Sequence, residues 1–422
     1  MNSSRRGNKI IRFLVSFLFI LTICCPLRAQ ENPAQNTTVP AESTPEGLIG
    51  KEIEQAIEES VFKTGAFRIR PDLQVLGGYD SNAFSSAQNP VEDEFFKVIP
   101  AIRTFVILQD RAVINVDEAL NIVYYRSEPD LNDIFNSTSP AIALGGSRWL
   151  FKARDSFATG LVRPSTEFDI PTDQRTNNFD TSFAIAVGDR SNISAFYNNF
   201  NLKILDHTVT SAAGIPLFEL LNRSTNLYGG AFTRNLTETS SAIGEFSYEQ
   251  LNFAEQSNQP NATIYAGRGG FTFSAREHIT GRAMIGYKSM TPDDPTQPNY
   301  RGVIGSVDLG IHEGERTSIT INFLRDPEPS TTVNNWFFVQ NIVGSTIEYY
   351  FTRDFSVTGG ISYGKNTYPN QVLIETAPGQ TVLKDVDDSY VDFIFGTHFH
   401  LASAWWIVVQ GDKLSRTSNL PE

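Results

Sequence analysis

Residues 67–79 read FRIRPDLQVLGGY, and this stretch decides the class of fold. Every odd position from Phe67 to Tyr79 holds an apolar residue, a proline or a glycine, whereas the even positions carry charged residues such as Arg68 and Asp72. Side chains of a β-strand point alternately to opposite faces, so this period of two predicts a strand with one apolar and one polar face. The strand is long enough to cross a bilayer, which takes about 9–11 residues.

The same alternation recurs along the rest of the chain. It is weaker between residues 135 and 275, where Gly, Ser and Thr occupy much of the apolar side. No segment after the N-terminus approaches the roughly 18 consecutive apolar residues of a transmembrane helix. A membrane crossing must therefore use strands, and only a closed barrel satisfies their backbone groups in lipid. The clearest further cases are residues 96–108, 114–124, 279–287, 303–311, 337–351 and 391–401.

Charged pairs mark the expected short turns between these strands. Two further turns are expected near Asn235 and Ala402, without a charged pair. Successive turns are about 40 residues apart, which leaves room for an outgoing strand, a longer loop and a returning strand, as in outer-membrane barrels. The pairs are Asp110-Arg111, Arg154-Asp155, Asp189-Arg190, Arg276-Glu277, Glu315-Arg316 and Arg353-Asp354.

The predicted fold is all-β: a transmembrane antiparallel β-barrel of about 16–18 strands, with short periplasmic turns and longer extracellular loops. The tail at 411–422 looks like an outward loop, so we expect that the closing strand is missing or that the weak middle region hides a strand. The longer loops are rich in Asn, Asp, Pro, Ser and Thr. They are predicted at residues 127–139, 163–178, 203–222, 291–299, 325–335 and 365–388.

The N-terminal region divides into two parts before the barrel at 65–422. Residues 1–29 have a basic start, an apolar run and a small residue, Ala29, which together predict a cleaved signal peptide. Residues 30–64 are predicted to be a periplasmic linker with a short amphipathic helix at 48–63. That helix is interpreted either as a surface helix at the barrel entrance or as a segment that binds a periplasmic partner.

Charge and cysteine content exclude several classes of protein. The chain has 34 Lys and Arg against 47 Asp and Glu, a net charge of −13, and loss of the basic signal peptide makes it more acidic. Such a charge argues against a nucleic-acid partner, which requires a basic surface. Both cysteines, Cys24 and Cys25, lie in the signal peptide, so the exported protein is predicted to have no disulfide and no thiol chemistry.

Two short motifs at the start of the barrel carry a family resemblance. Residues 67–71 (FRIRP) and 78–84 (GYDSNAF) resemble the opening of the putative beta-barrel porin 2 family. The resemblance implies an outer-membrane barrel, and it implies an association with exopolysaccharide production or export. The family defines no catalytic residues, and its closing strand is the feature not seen here.

The search for catalytic or metal-binding chemistry finds no motif. A nucleophile elbow, a phosphate loop and a dinucleotide fingerprint are all absent from the sequence. His398 and His400 share one strand face, but a metal site would need further ligands from other strands. Loop acids such as Asp293 and Asp294 are interpreted as calcium ligands or, more simply, as solvated charges. We predict no enzyme activity and no cofactor.

The polar faces of the first strands supply the candidate functional residues. Projecting into a water-filled lumen, they would line a pore, and charged walls tune pore selectivity. Glu118 does not fit this scheme, because it falls on the lipid-facing side of its strand; a bulge or an incorrect register would explain it. The pore-lining candidates are Arg68, Arg70, Asp72, Lys97, Arg103, Asn115 and Asp117.

The leading functional hypothesis is a porin-like passive channel of the bacterial outer membrane, linked to exopolysaccharide export. Its expected partners are outer-membrane lipid, polysaccharide or small polar solutes, and a periplasmic protein bound through residues 48–63. One alternative is a non-conducting structural or docking barrel that presents surface loops. Another is a secreted soluble β protein.

Overall fold

A computed structural model describes most of the chain after residue 60. Before that point it describes only Ile53, Ala56 and Ile57, which are helical. From residue 60 to 418 the undescribed residues are 81–91, 109–110, 163–171, 207–215, 255–258, 276–277, 315, 331, 333–334, 378–379, 387 and 403–404. No helix within the described ranges is long and apolar enough to cross a bilayer.

Besides the helical residues near the N-terminus, strands dominate the described residues, with a 3-10 turn at Pro129–Leu131 and a short helix, α1, at Leu217–Leu221. The strands are β1 (Phe62–Thr64), β2 (Phe67–Asp80), β3 (Asp93–Leu108), β4 (Ala112–Tyr125), β5 (Asp133–Gly145), β6 (Trp149–Val162), β7 (Thr172–Ala186), β8 (Ser191–Ile204), β9 (Arg223–Asn235), β10 (Ser240–Phe253), β11 (Ala262–Ala275), β12 (Ile279–Pro292), β13 (Tyr300–Glu313), β14 (Thr317–Pro329), β15 (Phe337–Thr352), β16 (Phe355–Thr367), β17 (Val372–Ala377), β18 (Gln380–Lys384), β19 (Asp388–Ala402) and β20 (Trp405–Ser418).

The long strands form a single antiparallel meander. Each of them pairs with the next along the chain, from β2–β3 through β16–β19 to β19–β20. Short β1 pairs with the other edge of β2, which gives an eighteen-stranded sheet, and β17 and β18 form a separate hairpin within the loop before β19. The predicted all-β antiparallel architecture and its strand number are confirmed.

The two faces of the sheet differ as the alternation predicted. One face, here called the outer face, exposes large apolar side chains such as Ile285 (69%) and Phe395 (61%). The opposite, inner face carries most of the ion pairs. In the weak middle region the outer face also carries a row of aromatic rings with neighbouring centroids 4.9–6.3 Å apart, as in the aromatic girdles of membrane barrels. The row consists of Phe179, Tyr197, Tyr228, Tyr248 and Tyr265.

The predicted short turns fall between consecutive strands, with one exception, and Asp110, Arg276, Glu277 and Glu315 themselves lie outside the described residues. Arg154 and Asp155, predicted as a turn, lie in the middle of β6, and the turn before that strand is at 146–148. A charged pair inside a strand places one charge on each face. Arg154 finds an acid on the inner face, while on the outer face Asn177 donates a hydrogen bond of 2.7 Å to Asp155. Paired in this way, both charges are compatible with a strand.

Several predicted loops are too long, and the predicted C-terminal loop is wrong. The segments 127–139 and 163–178 contain the starts of β5 and β7, while 325–335 and 365–388 overlap the ends of β14 and β16. Residues 411–418 continue β20, in register with β19 from Phe395 to Asp388. These segments are polar enough to look like loops, but a neighbouring strand supplies hydrogen bonds that composition does not reveal.

Glu118 does face outward, and neither a bulge nor a wrong register explains it. The β3–β4 register runs through it without a shift, with Ile102 opposite Glu118 and Arg103 opposite Asp117. The Thr138 hydroxyl on β5 donates a hydrogen bond to the Glu118 carboxylate on this outer face. The partner reduces the cost of a polar group on a lipid-facing surface, because an unpaired one loses its hydration without replacement.

Close approach of backbones requires glycine at some strand positions. A Cβ on Gly270 of β11 would collide with the carbonyl oxygen of Ala283 on β12, whereas a Cβ on Gly267 of the same strand would meet open space. The two glycines lie on opposite faces of the strand, so only one of them is needed for strand pairing.

We therefore expect Gly270→Ala to lower the free energy of unfolding by about 1–3 kcal/mol, the usual cost of overpacking. Gly267→Ala is the matched control and should stay within about 0.5 kcal/mol of the wild type. Urea unfolding in lipid vesicles measures both. Equal effects of the two substitutions would contradict the described β11–β12 packing.

Candidate functional site

All seven pore-lining candidates lie on the inner face of β2, β3 and β4. The register places Arg70 opposite Arg103, and Arg103 opposite Asp117, so their side chains form one row across three strands. Asp72 and Asp117 interleave with these cations. As the alternation predicted, these residues share the face of the sheet opposite the apolar one.

Asp117 is the centre of the first charge network. The Arg103 Nε atom donates a hydrogen bond to its Oδ1 atom at 2.8 Å, and the Asn115 amide donates to its Oδ2 atom at 3.4 Å. Arg154 of β6 approaches the same carboxylate at 3.8 Å and donates to the Ser139 hydroxyl at 2.7 Å. One acid thus orients two guanidinium groups from strands on either side of it.

The other candidates on this side of the sheet are Arg68, Arg70, Asp72 and Lys97. The Arg70 guanidinium lies 3.5 Å from the Asp72 carboxylate. Arg68 donates to the carbonyl oxygen of Gly65, where the backbone turns with a φ of +58°. Lys97 is half-buried on the inner face, where β2 and β3 run side by side.

A second network on β10–β14 was not among the sequence candidates. Asp326 pairs with Lys288 at 3.0 Å and with Arg268 at 3.4 Å, and Arg282 pairs with Glu245. These groups are largely buried, so their charges are stabilised mainly by each other. Asp326 lies inside β14, not in the predicted loop.

A third network joins β16, β19 and β20. Asp388 is fully buried and accepts two hydrogen bonds from Arg416, at 2.8 and 3.1 Å, in the two-point geometry that guanidinium favours. The Asn366 amide and the Tyr368 hydroxyl donate to the same carboxylate, at 2.8 and 3.4 Å. Arg416 lies in the segment predicted to be a loop, so its role depends on β20 being a strand.

The inner face is not uniformly charged. On β2–β6 its described cations outnumber its acids: Arg68, Arg70, Lys97, Arg103, Lys152 and Arg154 against Asp72, Asp93, Asp117 and Asp133. On β13–β16 and β19 the described inner-face charges are acidic, with no Lys or Arg among them: Asp308, Asp326, Glu328, Glu348, Asp388 and Asp392. The inner wall therefore has a basic sector and an acidic sector, in which Asp326 and Asp388 are paired with cations on β11, β12 and β20.

The long loops on one side pack against each other at the strand ends. The Trp336 indole is 1% exposed and donates to the carbonyl oxygen of Pro298 at 2.8 Å. Gln259 donates to the Ser330 carbonyl at 3.0 Å, so loops after β10, β12 and β14 are linked.

Histidines and loop acids show no metal-binding arrangement among the described residues. No group of three or more His, Cys, Asp or Glu there has the geometry to hold a metal ion. The His398 ring lies 3.5 Å from Glu348, and the His400 side chain is outside the described residues. The backbone and hydroxyl of Thr296 donate to Asp294, at 2.9 and 2.7 Å, which lowers the pKa of that carboxyl.

The N-terminal segment contacts the inner wall at the end where β3 and β4 meet. Ala56 is fully buried against Phe105 and Val113, and Ile53 packs on the same cluster. Of the predicted helix at 48–63, the described residues Ile53 and Ala56 therefore rest on the barrel wall. The helix ends earlier than predicted because Phe62–Thr64 is strand β1.

A model of one protein family matches residues 56–421, which is most of the chain and all of the long strands. Its description is "Putative beta-barrel porin 2". The chain belongs to this family. It is an outer-membrane β-barrel protein of bacteria, and the resemblance at residues 67–84 is confirmed. No curated protein matches the chain in sequence.

The fold of this chain is similar to those of solved outer-membrane receptors. For the ferric-catecholate import receptor Fiu from K12 E. coli, identity is 9%, coverage is 85% of this chain and 66% of the receptor, and the TM-score is 0.45. For the FrpB iron transporter from Neisseria meningitidis, identity is 9%, coverage is 86% of this chain and 64% of the transporter, and the TM-score is 0.44. The chain spans about two thirds of these receptors, and the likeness is too low to indicate a cargo.

The sequence contained a signal for the residues that the candidate set missed. Arg268, Lys288 and Asp326 occupy positions opposite to the apolar residues of their own strands, which the same rule of alternation assigns to the inner face. Arg154 had a competing interpretation as a turn residue. The alternation does not reveal which charges pair across strands, because the pairing depends on the register of the strands.

Asp388→Ala should lower the free energy of unfolding by about 3–5 kcal/mol, because it leaves the Arg416 guanidinium buried without its charge partner. Asp72→Ala, which breaks a longer and more exposed ion pair, is the matched control with an expected loss of at most about 1 kcal/mol. Guanidinium unfolding in detergent micelles measures both.

Asp388→Ala combined with Arg416→Met should recover part of the loss, because the unpaired charge is then removed. If the double variant is no more stable than Asp388→Ala alone, the ion pair does not explain the loss.

Proposed function

We propose that this protein is a porin-like passive channel for polar solutes. The observation that supports the proposal most is the inner face itself, which carries three hydrogen-bonded charge networks on β2–β6, β10–β14 and β16–β20. A wall of paired charges suits water and polar solutes, while the apolar outer face suits lipid.

The uneven charge of the wall supports a selective lumen. A basic sector on β2–β6 and an acidic sector on β13–β19 would create a field across the lumen. Such a field orients dipolar and zwitterionic solutes and discriminates among ions by charge. We propose that Arg68, Arg70, Asp72, Lys97, Arg103, Asn115 and Asp117 act as pore-lining residues, together with Arg154.

Exopolysaccharide is the proposed cargo within this class of polar solutes. The link rests on the family association, and the hydrogen-bonding inner wall is compatible with hydroxyl-rich chains. We further propose that residues 1–29 are removed as a signal peptide, and that residues 30–64 remain in the periplasm within reach of a partner. Mass spectrometry of the mature N-terminus, expected near residue 30, tests the cleavage.

A non-conducting docking barrel is the second candidate function. The observation that favours it is the packing of the loops after β10, β12 and β14, since linked loops present a defined surface. A well-folded barrel that never conducts would support this function over the channel.

Conductance in planar bilayers tests the channel directly. We expect stepwise ion conductance, and we expect Arg103→Gln to raise the preference for cations over anions about twofold. The effect is modest because a wall charge in a water-filled lumen acts through a high dielectric constant. The reversal potential in a KCl gradient measures it.

Arg301→Gln is the matched control for this experiment. Arg301 is an exposed arginine on the outer face of β13, so its loss removes the same charge without changing the lumen. Equal shifts in reversal potential from Arg103→Gln and Arg301→Gln would contradict the pore-lining role.

A further inference from the structure

Charges on β14, β15, β16 and β19 are sorted by face. Arg325 of β14 and Lys365 of β16 have the outward facing, because they alternate with Asp326 and Asn366 of the inner face. Among the described residues of these four strands, no Asp or Glu has the outward facing, and every acid faces inward. The outer face of this part of the sheet is therefore basic, whereas its inner face is acidic.

Three residues form a row across this outer face, here called the basic row. Arg325 lies opposite Asn341 of β15, and Asn341 lies opposite Lys365 of β16. The Arg325 Nη1 atom donates to the Asn341 Oδ1 atom at 2.5 Å, and its Nε atom donates to the Val303 carbonyl oxygen at 3.1 Å. The Asn341 amide donates to the Lys365 carbonyl oxygen at 3.5 Å. Side chains and backbone of neighbouring strands thus hold the guanidinium in place.

The Arg325 guanidinium retains capacity for an anion. Within the described part of the chain no carboxylate lies at ion-pair distance from it, since its two hydrogen bonds go to an amide and a backbone carbonyl. A guanidinium has five N–H donors, so these bonds leave donors for a ligand. A positioned guanidinium favours phosphate, which it binds through two parallel hydrogen bonds.

The basic row lies where the apolar part of the outer face ends. Two residues nearer the short turns on each strand, Phe323, Val343 and Tyr363 are between 39% and 49% exposed and form an apolar row. Two residues of a strand span about 6.6 Å. Aromatic residues such as Tyr363 are typical of the headgroup level of a membrane. Because the longer loops of outer-membrane barrels are extracellular, the basic row lies at the headgroups of the outer leaflet.

We propose that the basic row binds the phosphate group of an anionic lipid in the outer leaflet. Arg325 and Lys365 are two strands apart, about 10 Å, so their long side chains converge on one phosphate above Asn341. The acyl chains of the lipid lie along the apolar row, which a free phosphate ion would leave uncovered. This site is on the outside of the barrel, so it is separate from the proposed channel.

Binding of phosphatidic acid to the full-length protein in non-ionic detergent micelles tests the site, with bound lipid counted by native mass spectrometry. We expect Arg325→Gln and Lys365→Gln each to raise the dissociation constant about fivefold, the usual contribution of one cation at a membrane surface. Diacylglycerol with the same acyl chains lacks only the phosphate and should bind about 25-fold more weakly, the product of the two contributions. Inorganic phosphate at the lipid's concentration should not displace the lipid.

Two further variants separate a built site from a general basic surface. Arg175→Gln removes an exposed outer-face arginine of β7, where Asp173 shares the face, and should leave the dissociation constant unchanged. Asn341→Ala keeps both cations but releases the Arg325 guanidinium, so it should weaken binding about threefold through the cost of ordering that side chain. Heat-shifted mobility in gels verifies folding, and Lys365→Gln decides if Arg325→Gln does not fold.

Each outcome supports or overturns the lipid site. Equal binding by the wild type and both basic-row variants overturns it. An equal loss in Arg175→Gln overturns it as well, because diffuse charge would then hold the lipid, and displacement by inorganic phosphate overturns the lipid as the source of the phosphate. Weaker binding in the basic-row variants alone, with little binding of diacylglycerol, supports it. Binding in micelles does not require conduction, so a failure of the channel leaves this result unchanged.

Discussion

The hydrogen bonds of the backbone are the constraint on which the rest of this structure depends. In the hydrocarbon of a bilayer no water is available to pair with exposed N–H and C=O groups, so each strand must find its partners in its neighbours. The unbroken succession of antiparallel pairs from β2 to β20 meets that requirement for every strand between these two. Because the pairing fixes the backbone, side chains are free to divide between lipid and lumen.

Pairing between strands also explains how so many charges persist on the inner face. Adjacent strands lie about 4.8 Å apart, so Asp117 reaches Arg103 on the next strand, while long Lys and Arg side chains reach acids two or three strands away, as Lys288 and Arg268 reach Asp326. Asp117, Asp326 and Asp388 each collect donors from two or more other strands. Such networks stabilise the sheet and at the same time give its inner face a polar surface.

The exceptions to the simple pattern have local causes. Glu118 and Asp155 point outward, and each accepts a hydrogen bond from a side chain on the next strand, Thr138 or Asn177. The apolar patch at Phe105 and Val113 points inward, and it is covered by Ala56. In each of these cases the residue that departs from the two-face rule has a specific partner.

The sequence by itself determined the class of fold, the strand faces and nearly all of the turns. It did so because alternation with a period of two is a local property of an extended chain. Only the tertiary structure decided that Arg154 belongs to the inner wall, that residues 411–418 form a strand and that Ala56 rests inside the barrel. These features depend on register and on contacts between residues far apart in the chain, which no local pattern encodes.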